Sequence, residues 1–369
     1  MSHATRGIRE AEPDIASRRL HNQHLAGNPL ERAEDVVREL CAVQAQDYGG
    51  AKWALAQRSA SLTDSDLDNL FDAGAMLRTH VMRPTWHFVA PADIRWMQAL
   101  THARVDAVCA YYYRQHELDD AVFARSNALI GAALEGGRYL TRPELGKVLE
   151  DGGIPASNTR LAPLMLRAEL DAIVCSGPRR GKQFTYALID ERAPDARRLD
   201  RDEALAELTR RYFVSHGPAT VRDFVWWSGL TVADAKAGLA MVQSCFTSEV
   251  VDGKTFWFAP SSAPVKIRKP LVHLLPNYDE QLIGFKDREP TIHESVRNRI
   301  RPSDSALMAH LITVNGVVVG AWRRTVAKKG VTVRTNLVVP LNRAEQAALE
   351  LAAEDYGRFM GLPVRLLHE

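Results

Sequence analysis

The sequence has few of the features that place a protein in a class at once. It carries four cysteines in 369 residues (Cys41, Cys109, Cys175 and Cys245), 66 to 70 positions apart. That spacing gives neither a disulfide framework nor a Cys-x-x-Cys zinc site, so buried apolar fillers are expected. No stretch approaches the ~18 consecutive apolar residues of a membrane span. The start, Met1 to Pro13, is polar and mixed in charge, without the apolar middle of a signal peptide. A soluble, cytoplasmic chain with no membrane partner is expected. Neither sign of charge dominates: Lys+Arg 47 stands against Asp+Glu 45, a formal net charge of +2. This argues against a strongly basic nucleic-acid arm but is silent on how charge is distributed. There is no Walker loop, no Gly-x-Ser-x-Gly, no His-Glu-x-x-His and no dinucleotide fingerprint. Phosphoryl transfer, acyl transfer and nicotinamide chemistry lose their usual signatures, and no metal, nucleotide or other cofactor is expected.

What is present is a chain 46% hydrophobic and 25% charged, long enough at about 100–200 residues per domain for two or three cores. One cadence occurs three times: helical segments followed by two short β-like runs around a turn. The third copy is the clearest. Asp200 caps a helix to about Ser215, and Thr220 with Asp223 opens a short helix closed by Gly229. Thr231 with Asp234 opens another, and Phe246–Val251 and Thr255–Phe258 flank Asp252-Gly253, a strong hairpin signal. The second copy has helices across Ala103–His116, Val122–Leu134 and Thr159–Leu170, and a Thr141 with Glu144 capping box. Its hairpin turns at Gly177-Pro178-Arg179-Arg180-Gly181-Lys182, a wing with a basic tip. The first copy runs through helices at Ile15–Leu25, Glu31–Ala42 and Lys52–Arg58 and one capped by Thr63, to a hairpin turning at Arg83-Pro84. Each copy reads as a winged helix. Beyond it, Val265–Lys286 and Asn315–Val339 read as strands and Arg343–Phe359 as a helix. The expected class is α+β: winged helices at residues 1–100, 101–195 and 196–262, and a β-rich module at 263–369.

Charge read by segment is informative. Between Val265 and Arg334 there are 13 basic residues, among them Lys266, Arg268, Lys269, Arg301, Arg323 and Arg324, against 6 acidic ones, a local excess of +7. Together with the winged helices and the basic wing tip, this predicts a phosphate-binding surface. Arg83, Arg179, Arg180, Lys182, Arg323 and Arg324 are the candidate DNA contacts. The segment Gln44-Ala-Gln46-Asp47 places two amides and a carboxylate after an apolar run. Residues two apart share a side only in an extended chain, so for Gln44 and Gln46 to converge the backbone must leave the helix near Ala45.

The ordered set Gln44-Ala45-Gln46, Arg78-Thr-His-Val-Met-Arg-Pro-Thr-Trp-His-Phe88, His216 through Leu230, Leu274-Leu-Pro-Asn-Tyr-Asp-Glu280 and Gly316-Val-Val-Val-Gly-Ala-Trp-Arg323 resembles the winged-helix DNA glycosylases of the AlkZ/YcaQ type. The likeness runs from about Ile15 to Pro363. It implies three tandem winged helices in a C-shaped arrangement around a basic concave surface, and removal of alkylated purines, including those in interstrand crosslinks. The family's Gln-x-Gln signature maps onto Gln44 and Gln46, with Ala45 in place of the usual larger apolar residue. The second glutamine puts the chain in the AlkZ-like branch.

On this reading the chain is a monofunctional glycosylase acting on double-stranded DNA that contains alkylated bases, and is itself a monomer. A glutamine does not titrate, but its oxygen can accept from a water and hold it against the sugar. Asp47 is the rival as a general base, His80 and His87 are secondary supports, and Lys52 is the one nearby amine a lyase could use. At least one of Trp226 and Trp227 is expected in the core. The alternative reading is a non-catalytic winged-helix DNA-binding protein, either a transcriptional regulator or a nucleoid-associated one.

Overall fold

Side-chain caps set where the helices begin. In the computed structural model, which describes residues 13–260, 270–300 and 310–369, Thr63 with Asp66, Thr141 with Glu144, Thr220 with Asp223 and Thr231 with Asp234 form reciprocal capping boxes. They open the helices Asp64–Ala73, Arg142–Asp151, Val221–Ser228 and Val232–Val242. Each box satisfies two N–H groups that a helix start would otherwise leave unpaired.

The described residues contain four sheets. The first joins β1 (Ala42–Gln44), β2 (Leu77–His80) and β3 (Trp86–Val89) in the antiparallel order β1-β3-β2. The second joins β4 (Leu140–Thr141), β5 (Val174–Ser176) and β6 (Thr185–Leu188) in the order β4-β6-β5. The hairpin of β7 (Thr247–Val251) and β8 (Lys254–Phe258) turns at Asp252-Gly253, as its residue types require. Last come β9 (Val272–Leu275), β10 (His310–Val314), β11 (Val317–Ala327), β12 (Gly330–Leu337) and β13 (Val364–His368). They form one sheet in the order β13-β12-β11-β10-β9, with β13 parallel to β12 and the other pairs antiparallel. The helix Arg343–Met360 packs against this sheet. Helices followed by a small antiparallel sheet recur three times, and the class is α+β.

Three expectations change. Of the strand expected across Val265–Lys286, the described part holds only β9, because Asp279 caps a short helix, Glu280–Ile283. Lys266, Arg268, Lys269 and Arg301 of the basic segment lie outside the described residues. The helix expected to reach Ala42 stops at Leu40, since Cys41 takes φ +71° and turns the chain into β1. Of the cysteines, Cys41, Cys109 and Cys175 are buried as expected but Cys245 is exposed. Burial pushes the Cys41 and Cys175 thiols up to about 12, so neither supplies thiolate near neutral pH.

The cores explain why β1 is a strand without alternation. Val36, Val43, Ala45, Trp53 and Phe88 share one apolar cluster with Leu274, Trp322, Tyr356 and Phe359 of the C-terminal module. Cys41, Ala42 and Leu77 join Tyr212, Phe224, Trp227 and Phe285 in another. The Cys41–Ala45 stretch is therefore buried on both sides, and a strand covered on both faces reads as a continuous apolar run. The second repeat keeps a core of its own around Phe123, Leu145 and Leu164.

Candidate active site at the end of the first strand

Gln44 ends β1 opposite His87 of β3, and the next residue continues the pairing, Ala45 donating its N–H to the Trp86 carbonyl at 2.7 Å. β1 ends at Gln44, Ala45 keeps the pairing, and the chain bends at Gln46 before the helix Tyr48–Ala56. Gln44 is 5% exposed, whereas Gln46 is exposed. The two amides are held differently. Gln46 Oε1 accepts from the Trp86 N–H at 3.3 Å. Gln44 Oε1 accepts from Arg83 Nη2 at 2.9 Å, and its main-chain N–H donates to Glu280 Oε1 at 3.0 Å.

Glu280 belongs to a buried polar cluster among aromatic rings. Its Oε2 accepts from Trp227 Nε1 at 2.9 Å and faces His216 Nε2 at 3.3 Å. His216 Nδ1 lies 2.8 Å from the Ser215 hydroxyl. Burial holds His216 below its usual value despite the neighbouring carboxylate. A neutral ring can donate from Nε2 to Glu280, while the single Ser215 hydroxyl proton is shared between His216 Nδ1 and the Arg211 carbonyl, also at 2.8 Å. Trp227 is fully buried, as expected for at least one of the tryptophan pair.

Arg83 does not sit at an open wing tip. Its Nη1 donates to the Trp226 carbonyl at 3.1 Å and its Nη2 to Gln44, linking the wing turn of the first repeat to the short helix of the third. Gly229 permits this approach: at φ +71° it ends that helix against the turn, where a Cβ would overlap the Met82 carbonyl oxygen. Burial pulls the Arg83 guanidinium down and Glu280 opposes the shift; an arginine so placed remains a cation.

The other residues singled out from the sequence divide into two groups. Asp47 and Arg324 lie beside the motif. Asp47 caps the helix Tyr48–Ala56, accepting from the Gly50 N–H at 3.0 Å, and its second oxygen faces Arg324 at 3.5 Å. His87 is fully buried, donates from Nδ1 to the Thr85 carbonyl at 2.9 Å and is held neutral by burial, its Nε2 unpartnered. Elsewhere, His80 pairs with Glu169 at 2.8 Å, on the wall of a cavity of about 540 Å³ against the second repeat. Arg179 is drawn back to Asp68 at 2.8 Å, and Arg180 to Glu144 at 2.7 Å. Lys182 is exposed at the second wing tip, and Arg323 is exposed on β11 opposite Arg334. Lys52 is buried between Asp64 and Asp68, at 2.7 and 2.6 Å. Among the described residues no cluster of His, Cys, Asp and Glu suits a metal ion, and no helix is long and apolar enough to cross a membrane.

Sequence reasoning about chemistry missed Glu280 and His216. Their signal was a charged group inside an apolar stretch, in the segments Leu274–Glu280 and His216–Leu230 that carried the family likeness without a stated role.

Three histidines kept neutral make stability sensitive to acid. His87 and His216 are held low by burial. His273, with a buried Nδ1 that has no partner, is pushed down to about 4 by burial and the nearby Arg58 cation. In the unfolded chain each titrates near ~6.5, so between that value and the folded one the unfolded state binds more protons. Stability is expected to be level above pH 7 and to fall as pH drops through ~6.5 toward 4, where the His273 part is complete. A melting midpoint unchanged between pH 7 and 5 would contradict this, and His273→Asn should flatten the fall.

Comparison with known proteins places the fold and the family. The fold is similar to that of the Streptomyces sahachiroi DNA glycosylase AlkZ, with a TM-score of 0.78 at 20% identity, covering 96% of this chain and 99% of that one. In sequence the chain is 24% identical over 382 residues to an interstrand DNA cross-link repair glycosylase of Streptomyces sahachiroi, covering 95% of this chain and 97% of the relative. Residues 37–359, from the helix before β1 to the last helix, match the family described as DNA glycosylase AlkZ-like. An enzyme acting on DNA thus replaces the non-catalytic alternative: the chain belongs to the AlkZ-like DNA glycosylases.

Proposed function

We propose that the protein is a monofunctional glycosylase that hydrolyses the N-glycosidic bond of cationic, N7-alkylated purines in duplex DNA, with a water held by Gln44 and Gln46. The observation that carries this reading is the occupancy of the neighbouring groups. Lys52 is locked between two aspartates, Asp47 is a helix cap facing Arg324, and His87 is buried and neutral. The two amides remain at the end of an extended strand.

An amide site suits an activated leaving group. An N7-alkylguanine carries a positive charge, so when the C1′–N9 bond breaks the base leaves neutral, taking the bonding electron pair, and needs little acid catalysis. The sugar passes through an oxocarbenium-like state. Water oxygen then bonds to C1′, and the proton it loses passes to solvent. Orientation of that water and the fixed dipoles around it carry the rate. The cross-link repair named for the relative fits this chemistry, because unhooking a crosslink through a purine N7 breaks the same kind of bond.

The test is incubation with a duplex bearing one N7-methylguanine, followed by alkali. Release of the free base with strand scission only after alkali is expected. Scission without alkali would mean a lyase, and no release would overturn the reading.

For DNA contact the exposed cations are the better candidates. The β11–β12 hairpin presents Arg323, Lys328, Lys329 and Arg334, and the second wing presents Lys182 and, beside Glu144, Arg180. Lys182→Ala should weaken duplex binding across sequences and lower the slope of log affinity against log salt by about 1. Arg179→Ala, which breaks the pair with Asp68, should leave that slope unchanged. Equal slopes for the wild type and Lys182→Ala would remove the second wing from the interface.

A further inference from the structure

Gln44 is gripped by two opposite charges that lie outside its motif. Arg83 donates to its side-chain oxygen at 2.9 Å, and Glu280 accepts from its main-chain N–H at 3.0 Å. The consequence is chemical. A carboxamide has an acceptor end and a donor end, and a donor fixed on one end decides which way the other faces. With Oε1 turned to Arg83, Gln44 Nε2 has no protein acceptor among the described residues and is not among the polar atoms sealed from solvent. Gln46 Oε1 also accepts from the protein, from the Trp86 N–H at 3.3 Å, and keeps its second lone pair at an exposed position.

We propose that Arg83 is a positioning residue that makes Gln44 a donor to the attacking water, for which the spare lone pair of Gln46 Oε1 is the acceptor. Nε2–H of Gln44 is bonded to the water oxygen, and Gln46 Oε1 accepts one of its protons, which leaves the second oxygen lone pair for C1′. Two like ends would leave the water free to rotate; a donor with an acceptor holds it in one orientation. Glu280 matters to the same arrangement. An isolated guanidinium beside a cationic base and a developing oxocarbenium would oppose both, and a buried carboxylate on the far side of Gln44 offsets it. The aromatic floor of Trp227 and His216 keeps that carboxylate in place. Arg83 is thereby removed from the list of DNA contacts and given a role in turnover.

This inference rests on Gln44 being catalytic, and the experiment separates the two ideas. Single-turnover release of N7-methylguanine is measured against enzyme concentration for the wild type, Gln44→Ala, Gln44→Glu, Arg83→Leu and Arg83→Lys, with duplex binding measured in parallel. Arg83→Leu should lose on the order of a hundredfold in the maximal rate, with duplex affinity within about threefold, a split that a phosphate contact does not produce. Gln44→Glu, which keeps shape and an acceptor but has no donor, should be as slow as Gln44→Ala. If Arg83→Leu does not fold, judged by its circular dichroism, Arg83→Lys and Gln44→Glu decide by the same split. A wild-type maximal rate in Arg83→Leu, a loss in affinity alone, or a wild-type rate in Gln44→Glu overturns the proposal while the catalytic reading stands. A wild-type rate in Gln44→Ala overturns both.

Discussion

Alanine at both Gln44 and Gln46 is expected to reduce release of N7-methylguanine by on the order of a thousandfold while duplex binding and the melting midpoint change little. The size follows from what the two amides do. Holding one nucleophile in a near-attack position and removing one preorganised dipole are each worth on the order of 10² or more in rate. Residues that act on the same water do not add independently, so each single variant should already show most of the loss. Stability should be spared for different reasons at the two sites. Gln46 is exposed and its one bond to the protein is 3.3 Å long. Gln44 is buried, but the Glu280 and Ala45 contacts that hold β1 in place are made by the main chain and survive the change. Arg83 loses one acceptor and keeps the Trp226 carbonyl. Asp47→Asn provides the contrast. If Asp47 were the base, this variant would be as slow as the double alanine and the wild-type rate would rise with its ionisation. As a cap it should keep the rate and lose only a fraction of the stability.

How much of this was legible in the sequence depends on whether the signal was local. Caps and hairpin turns are local, so Thr63, Thr141, Thr220 and Thr231 and the Asp252-Gly253 turn lie where their chemistry predicts. The two glutamines were legible because their spacing demanded extended backbone, and the family likeness named them. The end of the helix at Leu40 was not, because Cys41 takes a left-handed φ that its residue type does not favour and that packing between two cores imposes. β4, with two residues, and β13, which contains an arginine and a histidine, are too short or too polar for a period-two pattern to show. Charge was least legible. Arg83, Arg179 and Arg180 sit at turns, where sequence alone makes them solvent-facing cations. The structure gives them Gln44, Asp68 and Glu144 as partners 36 to 111 positions away, and of the three only Arg180 stays exposed. A basic residue at a turn is therefore informative about DNA only after its carboxylate and carbonyl neighbours are known.

The strongest effect on folding is expected at the residue next to Glu280. Asp279 receives both ends of the Arg58 guanidinium, at 2.7 and 2.8 Å, and each side chain is 1% exposed. Arg58 also donates to the Ala54 and Gln23 carbonyls, so it ties the first repeat to the loop that carries Glu280. A buried ion pair adds little over an apolar pair of the same shape, because both ions lose hydration. Removing one partner is a different matter, since the other charge stays in the interior uncompensated. Asp279→Ala should therefore cost about 3–5 kcal/mol in denaturant unfolding. It also removes the cap that accepts from the Gln281 N–H at the start of Glu280–Ile283, loosening the carboxylate that anchors β1. An exposed pair gives the scale: Lys147 with Asp151, both largely solvated, should lose under about 1 kcal/mol on Lys147→Ala. Equal costs for the two variants would mean that water reaches Arg58. In that case the Glu280 beside it would not act as a fixed counter-charge to Arg83 at the end of β1.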